Sequence, residues 1–516
     1  MNRLSAFVRA TLFATIMLCA ALAMAAPGAD IPRTRATTAP EVRALWVDGF
    51  NPGVRTREEA EQLVSNAKQA GFNTLFIQVR RRADALYTTS LEPAIEDFPI
   101  DPTFDPLQNI IELAHREGIE VHAWINAMTV WKNQAPPKSA NHVFNLHGPA
   151  QTGRANWLTA SPQGEFAFPV GYFLDPGHPD AMQHLVDVYT GVARKYAVDG
   201  VHFDYIRYPE VEGEKLPAGS PVGYNAVSLE RFRRATGRTD TPAPGDPQWI
   251  EWRRQQVTQL VRRVYLEVKA INPRIKVSAA TIAWGKPPVT EQDYPNSAPM
   301  QLVFQDWNGW LKQGFLDAAV PMNYARENDP KSRAFFDGWI TWEKQHKYGR
   351  QLVVGVGSYL NTNDGTLAEV SRVRQPAGRA TADGVSFFSY ASLLRAEAAP
   401  NGSGTSIAAL HTGQLAPFVA PASVPKANWL EQPDRGWLAG TVHDASGKAV
   451  DGAVIEVSRA GGIFRHKDLI VADGNGFFGT SGLKPGRYQA TLRGSRARSV
   501  VEVMPGKVAR VEVVTK

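Results

Sequence analysis

Short apolar segments alternate with amphipathic segments along most of this chain. The first apolar segment, VRALWVDGF at 42–50, has the length and residue content of a buried strand. Thr56 with Glu59 three residues later forms a capping box, and the apolar residues that follow recur at helical spacing. A second apolar segment, NTLFIQV, occupies 73–79. The pattern therefore predicts a strand followed by a helix, and then the same unit again.

Six further strand segments of the same kind follow, at 119–126, 198–206, 275–284, 316–324, 350–360 and 383–391. Eight strands that alternate with helices over about 360 residues match a closed (β/α)8 TIM barrel. An open doubly wound sheet would instead place a glycine-rich phosphate loop after its first strand, where residues 50–55 read FNPGVR. We therefore predict an α/β fold with a (β/α)8 barrel over residues 40–411.

The pattern changes after the predicted barrel. Residues 412–435 are rich in Pro and Ala without periodicity, which predicts a linker or a strap along the barrel. Residues 436–516 read as short alternating strands separated by turn sequences such as DASGK and ADGNG, which predicts a small β-sandwich. This segment resembles the carboxypeptidase regulatory-like modules of secreted enzymes, and the resemblance implies a spacer or a binding module.

The first residues have the pattern of an export signal. Two early arginines precede an apolar run at 10–22 and the small residues AMA at 23–25, which predicts a signal peptide at 1–25. A transmembrane anchor is the alternative, but the run is short for a span of about 20 residues. Cys19 follows a leucine rather than a small residue, so a lipoprotein is the less favoured interpretation. We expect an exported protein of the periplasm or cell envelope.

Composition narrows the class of partner and of chemistry. The net charge is +6, and without the two arginines of the predicted signal it is about +4, too little to indicate nucleic-acid binding. Cys19 is the only cysteine, which excludes disulfides, thiolate nucleophiles and cysteine-bound metals elsewhere in the chain. There is no HExxH or GxSxG motif, and a metal site would rest on His122 and His202 alone. We predict no metal, no cofactor and no membrane span.

Polar side chains at the carboxyl ends of the strands indicate where the chemistry lies. In VHFDY, His202 and Asp204 share one side of the strand, while Val201 and Phe203 share the other. The carboxyl ends of barrel strands form the mouth in which active sites lie, so Asp204 is expected there. The same alternation directs further groups inwards, namely Trp46 with Asp48, Gln78 with Arg80, and His122 with Trp124 and Asn126.

Aromatic residues are concentrated at the same strand ends, where flat rings can stack on the apolar faces of sugars. This concentration favours a carbohydrate cleft over a pocket for a small metabolite. From the residues themselves, the predicted substrate-binding set is Trp46, Gln78, Arg80, Tyr87, Trp124, Asn126, His202, Tyr205, Asn323, Tyr324, Tyr359 and Tyr390.

Hydrolysis of a glycosidic bond requires two carboxyl groups, one on each side of the bond. Asp204 is the first candidate, with the alternative that it only forms an ion pair with a nearby arginine. The fifth strand carries no carboxylate, so the general acid is expected in Glu327, just past the sixth strand. Asp306 is the other candidate, although it is equally well placed to be a helix N-cap. Asp317, before the sixth strand, is expected to be structural.

Several blocks of this chain resemble, in order, those of glycosyl-hydrolase-like family ten over about residues 41–400. The most specific block ends in VDGVHFDYIRYP, and RALWVDGF and QDWNGWLKQGFLDAAVPMNYA support it. The resemblance implies a TIM-barrel glycosidase of the bacterial envelope, in a family whose members include an enzyme that cuts peptidoglycan glycan strands stripped of stem peptides. It also implies that Asp204 is the acidic residue after the fourth strand, surrounded by Arg80, Asp84, Asn126, Tyr205 and Arg207. The C-terminal sandwich departs from that enzyme.

We therefore expect an exported glycoside hydrolase whose partner is a polysaccharide, with peptidoglycan glycan as the leading substrate. Hydrolysis of another surface polysaccharide or exopolysaccharide remains open. A sugar-binding protein without catalysis also remains open, because the fifth strand lacks a carboxylate. A second carboxylate within about 10 Å of Asp204 would favour catalysis.

Overall fold

The computed structural model describes residues 39–211, 219–398, 404–461 and 467–515, so the predicted signal peptide at 1–25 lies outside the described residues. In chain order, the first ten strands are β1 (Val42–Val47), β2 (Thr74–Arg80), β3 (Glu120–Asn126), β4 (Thr129–Trp131), β5 (Tyr172–Phe173), β6 (Gly200–Asp204), β7 (Lys276–Thr281), β8 (Ala318–Pro321), β9 (Gln351–Gly357) and β10 (Gly384–Phe388). All of these except β4 and β5 pair in parallel around a closed barrel, in the order β1-β10-β9-β8-β7-β6-β3-β2. The predicted TIM barrel is confirmed.

Helices cover the outside of the barrel, and the first two helices begin at side-chain N-caps. Thr56 accepts a hydrogen bond from the Glu59 N–H, and Asp105 accepts one from the Gln108 N–H, at the first and second helices. The α-helices are α1 (Arg57–Gln69), α2 (Pro106–Arg116), α3 (Val143–His147), α4 (Pro179–Lys195), α5 (Ala226–Thr236), α6 (Pro247–Ile271), α7 (Ala298–Gln301), α8 (Trp307–Gln313), α9 (Pro330–Gln345), α10 (Asn363–Arg374), α11 (Tyr390–Ala398) and α12 (Asn428–Glu431). Among the described residues, no helix has the length and apolar content needed to cross a membrane.

The barrel strands divide their side chains between two layers. Val201 and Phe203 of β6 pack in the large core between strands and helices, as predicted. The interior holds a separate apolar cluster that includes Trp46, Phe76 and Trp124. Successive side chains along β3 and β6 therefore point alternately into the helix layer and into the barrel interior. The polar side chains that point inward near the carboxyl ends of these strands lie at the mouth.

Residues 412–435 form a strap across the amino-terminal end of the barrel. The Glu41 N–H donates to the Ser423 carbonyl at 2.9 Å, and Gln351 donates to the Pro425 carbonyl at 2.9 Å. Val424 packs against the apolar cluster inside the barrel, and Phe418 is buried in the outer core. The strap therefore closes the end of the barrel opposite the mouth.

The C-terminal strands form the predicted sandwich of two sheets. The strands are β11 (Gly436–His443), β12 (Val454–Arg459), β13 (Lys467–Val471), β14 (Phe477–Leu483), β15 (Gly486–Leu492), β16 (Arg498–Val503) and β17 (Val508–Val514). One sheet has the order β14-β11-β17 and the other β13-β12-β15-β16, with a small apolar core between them. Ion pairs join the sandwich to the barrel helices, including Arg231 with Asp451 at 2.7 Å and Arg510 with Glu267 at 2.7 Å.

Candidate active site

A cavity of about 690 Å³ opens at the carboxyl ends of the barrel strands, within the usual size range of ligand pockets. Its wall includes nine of the residues that the sequence predicted for catalysis or substrate binding: Trp46, Gln78, Trp124, Asn126, Asp204, Tyr205, Arg207, Tyr324 and Tyr359. These residues come from strands and loops that are far apart in the chain. The barrel therefore brings them together at one mouth.

Asp204 is the last residue of β6, and its carboxylate lies among hydrogen-bond donors. Oδ1 accepts from the Tyr205 backbone N–H at 2.6 Å and from Arg207 at 3.3 Å, while Oδ2 accepts from the Trp124 indole at 3.2 Å. Tyr205 has a φ of 46°, in the left-handed region that non-glycine residues rarely adopt. The backbone thus turns sharply at Tyr205, directly after the carboxylate.

The pKa of Asp204 reflects opposing effects. Burial raises the pKa of Asp204 above the ordinary aspartate value, although Arg207, the Tyr205 N–H and Trp124 oppose this rise. Every neighbour that contacts the carboxylate is a donor, which is the arrangement that holds an anion. This carboxyl group is therefore costly to ionise, and its donors fix its position at the end of β6.

A chain of amides links this carboxylate to the neighbouring strand ends. The Asn126 Oδ1 accepts from the Trp124 indole at 2.9 Å and from Gln78 at 3.1 Å. Gln78 in turn accepts from the Gly49 N–H at 2.9 Å. Together with the bond from Trp124 to Asp204, these bonds connect the ends of β1, β2, β3 and β6. Residues of β1, β2 and β3 therefore fix the orientation of the Trp124 indole toward Asp204.

Trp46 is held from below by His202, which the sequence predicted as a substrate-binding residue. The Trp46 indole donates to the His202 Nε2 at 3.2 Å, and the His202 Nδ1 lies 2.9 Å from the Ser278 hydroxyl. Burial lowers the pKa of His202, and nearby His122 lowers it further, which favours the neutral ring that can accept a hydrogen bond from the indole N–H. His202 is fully buried and supports the Trp46 ring without reaching the cavity wall.

A β-bulge changes which arginine of β2 reaches the cavity. Gln78 is opposite Trp124, but Arg80 is opposite Ile125, so Val79 is an extra residue in the strand. Alternation is shifted at this point, and the expectation that Arg80 shares the side of Gln78 is wrong. Arg80 is completely buried, where it forms a bidentate pair with Glu92 at 2.7–3.0 Å and donates to the Ala127 carbonyl at 3.0 Å.

Arg81 takes the position on the cavity wall that was predicted for Arg80. The guanidinium of Arg81 contacts Asp84 at 2.9 Å and lies 4.6 Å from the centre of the Phe50 ring. Asp84, which the family resemblance placed around the cleft, is 2 % exposed and is not part of the wall. Its carboxylate instead orients Arg81 and accepts from the Arg82 N–H at 2.9 Å.

Glu327, the predicted general acid, does not line this cavity. Its Oε1 accepts from Arg372 at 2.9 Å, its Oε2 contacts the second guanidinium nitrogen of Arg372, and its backbone N–H donates to Asn361 at 2.8 Å. Asp306 is also absent from the wall, since it caps α8 by accepting from the Gly309 N–H at 3.0 Å. Burial raises the pKa of Asp306 to about 6.

Three further predicted substrate-binding residues lie outside the cavity wall. Tyr87 is buried in the core, and Tyr390 accepts a hydrogen bond from Asn66 at 2.9 Å. Asn323 donates to Glu343 at 2.8 Å, away from its neighbour Tyr324, which does reach the wall. Adjacent residues at a strand end point in opposite directions, so only one of this pair can face the mouth.

Asp48 is the second carboxylate on the cavity wall. Its Oδ1 accepts from the Asn51 amide at 2.7 Å and from the Phe50 N–H at 3.1 Å, and its Oδ2 has no hydrogen-bond partner among the described residues. The alternation along β1 already placed Asp48 on the side of Trp46, so the sequence contained this indication. Asp48 follows β1 and Asp204 ends β6, three strands away around the barrel.

Aromatic residues form another part of the wall, at the ends of β8, β9 and β10. Tyr324, Tyr359 and Phe388 contact one another edge-on or tilted, with ring centres 5.6–6.2 Å apart. Trp46 packs edge-on against Phe388, with ring centres 6.2 Å apart. The cavity thus offers flat apolar rings beside two carboxylates. Within the described ranges, no group of three or more His, Cys, Asp or Glu side chains is arranged to hold a metal ion.

Known proteins resemble this chain in sequence and in fold. A family model described as glycosyl hydrolase-like 10 matches residues 41–359. Glycosyl hydrolase DigH of Escherichia coli K12 is 26% identical over 327 residues, which cover 58% of this chain and 68% of DigH. Glycosyl hydrolase YngK of Bacillus subtilis is 23% identical over 305 residues, which cover 55% of this chain and 54% of YngK.

Among solved structures, the glycoside hydrolase domain of PgaB (BpsB) from Bordetella bronchiseptica superposes with a TM-score of 0.51 at 15% identity. The superposition covers 71% of this chain and 99% of that domain. At this identity the likeness concerns the fold, which is the (β/α)8 barrel described above.

Proposed function

Because this chain belongs to the glycosyl hydrolase-like 10 family, we propose that it is an exported glycoside hydrolase whose substrate is the glycan of peptidoglycan. The observation that carries the proposal is the pair of carboxylates, Asp48 and Asp204, on the wall of one aromatic-lined cavity. The predicted export segment supports a location in the cell envelope, where this glycan is found.

In the proposed reaction, Asp204 acts as the anion. Its donors hold both carboxyl oxygens in place, so it can attack the anomeric carbon as a nucleophile or remove a proton from water as a base. Asp48 is assigned as the acid that protonates the leaving oxygen, because its Oδ2 is free of hydrogen bonds to described residues. The aromatic residues hold the sugar ring by stacking, and Trp124 and Arg207 favour the ionised form of Asp204 against the effect of burial.

Product analysis tests the substrate. Purified protein is incubated with denuded glycan strands, intact sacculi and a panel of neutral polysaccharides, and soluble fragments with new reducing ends are measured. We expect fragments from the denuded strands. Release from the neutral polysaccharides alone would contradict the peptidoglycan proposal, and retention on glycan with no release from any substrate would indicate a sugar-binding protein.

A leaving-group comparison tests the role of Asp48. Asp48→Asn should reduce kcat on glycan strands by about 10²-fold or more, because general acid catalysis contributes at that scale. The loss should be much smaller on an aryl glycoside of the same sugar, whose leaving group needs no proton. Equal losses on both substrates would remove Asp48 from the acid role.

A further inference from the structure

Cationic side chains outnumber carboxylates on the cavity wall. The cations are Arg81, Arg82, Lys132, Arg207 and Arg395, and the carboxylates are Asp48 and Asp204. A cation on the wall can contribute to ligand specificity only if no carboxylate of the protein already neutralises it. A paired cation attracts a charged ligand only weakly.

The three inner arginines are already paired. Arg81 and Arg82 both contact Asp97, at 2.9 and 2.7 Å, and Arg207 contacts Asp204 at 3.3 Å. Their guanidinium groups are almost completely buried, with side chains 0 to 12 % exposed. These arginines therefore shape the wall and fix its carboxylates.

Lys132 and Arg395 differ from the inner arginines both in exposure and in ion pairing. Both side chains are exposed at the cavity, and neither forms an ion pair with a described carboxylate. Arg395 hydrogen-bonds only neutral groups, at 3.4 Å to Asn51 and 3.2 Å to Ser392. Lys132 has no hydrogen-bond partner among the described residues. Two positive charges thus remain available to a ligand in the cavity.

The two free cations follow strands that are three steps apart around the barrel. Arg395 is on α11, which follows β10, and Lys132 follows β4, in the loop after β3. The strands β10, β1, β2 and β3 are consecutive neighbours in the barrel, while the rings of Tyr324 and Tyr359 follow β8 and β9. Both cations are on the wall of the cavity that these rings line, so a glycan bound on the rings lies in the same cavity as the two free charges.

We propose that Lys132 and Arg395 bind carboxylates carried by the sugar units of the substrate, so that the cavity selects an acidic glycan. The inference rests on the proposed function for the identity of the site and adds the chemical group that the site recognises. A muramoyl residue without its stem peptide carries such a carboxylate on its lactyl ether, and a uronic acid carries one on its ring.

The test compares two preparations of one glycan. Denuded glycan strands are used as they are, and after carbodiimide activation and borohydride reduction, which convert each carboxylate to an uncharged alcohol. Oligogalacturonate is the third probe and distinguishes uronic acids from lactyl ethers. Affinity is measured with Asp204→Asn, so that binding is read without turnover, and kcat/KM is measured with the otherwise unchanged protein.

The cavity double variant carries Lys132→Gln and Arg395→Gln. The control double variant carries Lys448→Gln and Arg379→Gln, which also remove one lysine and one arginine charge, but at exposed positions away from the cavity. We expect the unreduced strands to bind about tenfold or more tightly than the reduced strands, since a charge-assisted contact is worth about one factor of ten or more. The cavity double variant should lose this preference, and the control pair should keep it.

The outcomes test the acidic-glycan inference and the proposed hydrolase function separately. Equal affinity for reduced and unreduced strands, or a preference that survives in the cavity double variant, would overturn the acidic-glycan inference even if hydrolysis occurs. A preference that depends on Lys132 and Arg395 without hydrolysis of any strand would uphold the inference and overturn the hydrolase. Tight binding of oligogalacturonate but not of the strands would keep the carboxylate site and identify a uronic acid as the ligand.

Discussion

The barrel holds a buried carboxylate at each end, and the two have opposite surroundings. At the mouth, Asp204 contacts Arg207 and two neutral donors beside an open cavity. At the strap-covered end, Asp317 accepts from Lys269 at 2.7 Å, from the Val277 N–H at 2.8 Å and from the strap residue Trp429 at 2.8 Å.

Burial alone would raise the pKa of both groups, and it does so for Asp204. At Asp317 the effect of burial is outweighed by Lys269 and Arg350, so the pKa of Asp317 lies below the ordinary value. Burial therefore has different consequences at the two ends of the barrel. The carboxylate at the closed end stabilises the fold when ionised, and the carboxylate at the mouth is the one to which the proposed function assigns the chemistry.

The largest expected effect is on activity, at the mouth. Asp204→Asn should lower kcat on glycan strands by about 10³-fold or more, because the reacting anion is lost. The melting temperature should stay within about 2 °C of the unmodified protein, since the amide is nearly isosteric and Arg207 keeps its ion pair with Glu210. Calorimetry and product release on the same samples measure both. A large fall in melting temperature would mean that Asp204 is structural.

The largest effect on stability is expected at the closed end. Asp317→Asn leaves the Lys269 ammonium, which is fully buried, without its carboxylate, so the free energy of unfolding should fall by about 3 kcal/mol or more. Denaturant unfolding measures this loss. The kcat/KM per folded molecule should remain within about twofold of the unmodified protein. Lost activity in fully folded Asp317→Asn would break the separation between the two ends.

The strap makes a smaller contribution to the closed end. Trp429→Phe removes the indole donor to Asp317 and should lower the free energy of unfolding by about 1–3 kcal/mol, the scale of a hydrogen bond to a charged group. In a double-mutant cycle with Asp317→Asn, the two losses should be less than additive, because they share one contact. Full additivity would show that Trp429 acts independently of this carboxylate.

Glu327→Gln at the mouth is expected to affect activity as little as Asp317→Asn at the closed end. Glu327 is bound through both carboxyl oxygens to Arg372 and is not on the cavity wall, so kcat/KM on glycan strands should stay within about twofold. This variant is the matched control for Asp48→Asn, since both replace a carboxylate near the carboxyl ends of the strands. A loss as large as that of Asp48→Asn would return the acid role to Glu327.

The eight barrel strands were predictable from the sequence because buried parallel strands are apolar segments that lie between capped helices. The structure contains all eight. The inward direction of Asp204, Trp124 and Asn126 followed from alternation, and so did that of His202, which contacts Trp46 inside the barrel. Alternation counts every residue as one step, so it could not register the bulge at Val79 that turns Arg80 away from the cavity.

Loop residues were less predictable than strand residues. The sequence placed Glu327 close enough to the mouth, but its partner Arg372 is on α10, 45 residues later, and only the folded chain brings the two together. Asp48 was not predicted as the second carboxylate, although its alternation with Trp46 already indicated that its side chain faces the mouth.

Direct titration of the two carboxyl groups tests the central contrast between the ends of the barrel. Selective carbon-13 labelling of aspartate, with Asp204→Asn and Asp317→Asn for assignment, gives the pKa of each group by NMR. The pKa of Asp204 should lie above the ordinary aspartate value and that of Asp317 below it. Activity should then be lost as the pH falls through the raised pKa of Asp204, while the stability contributed by Asp317 is lost only at lower pH, as its own pKa is approached. The reverse order of the two pKa values would contradict the account.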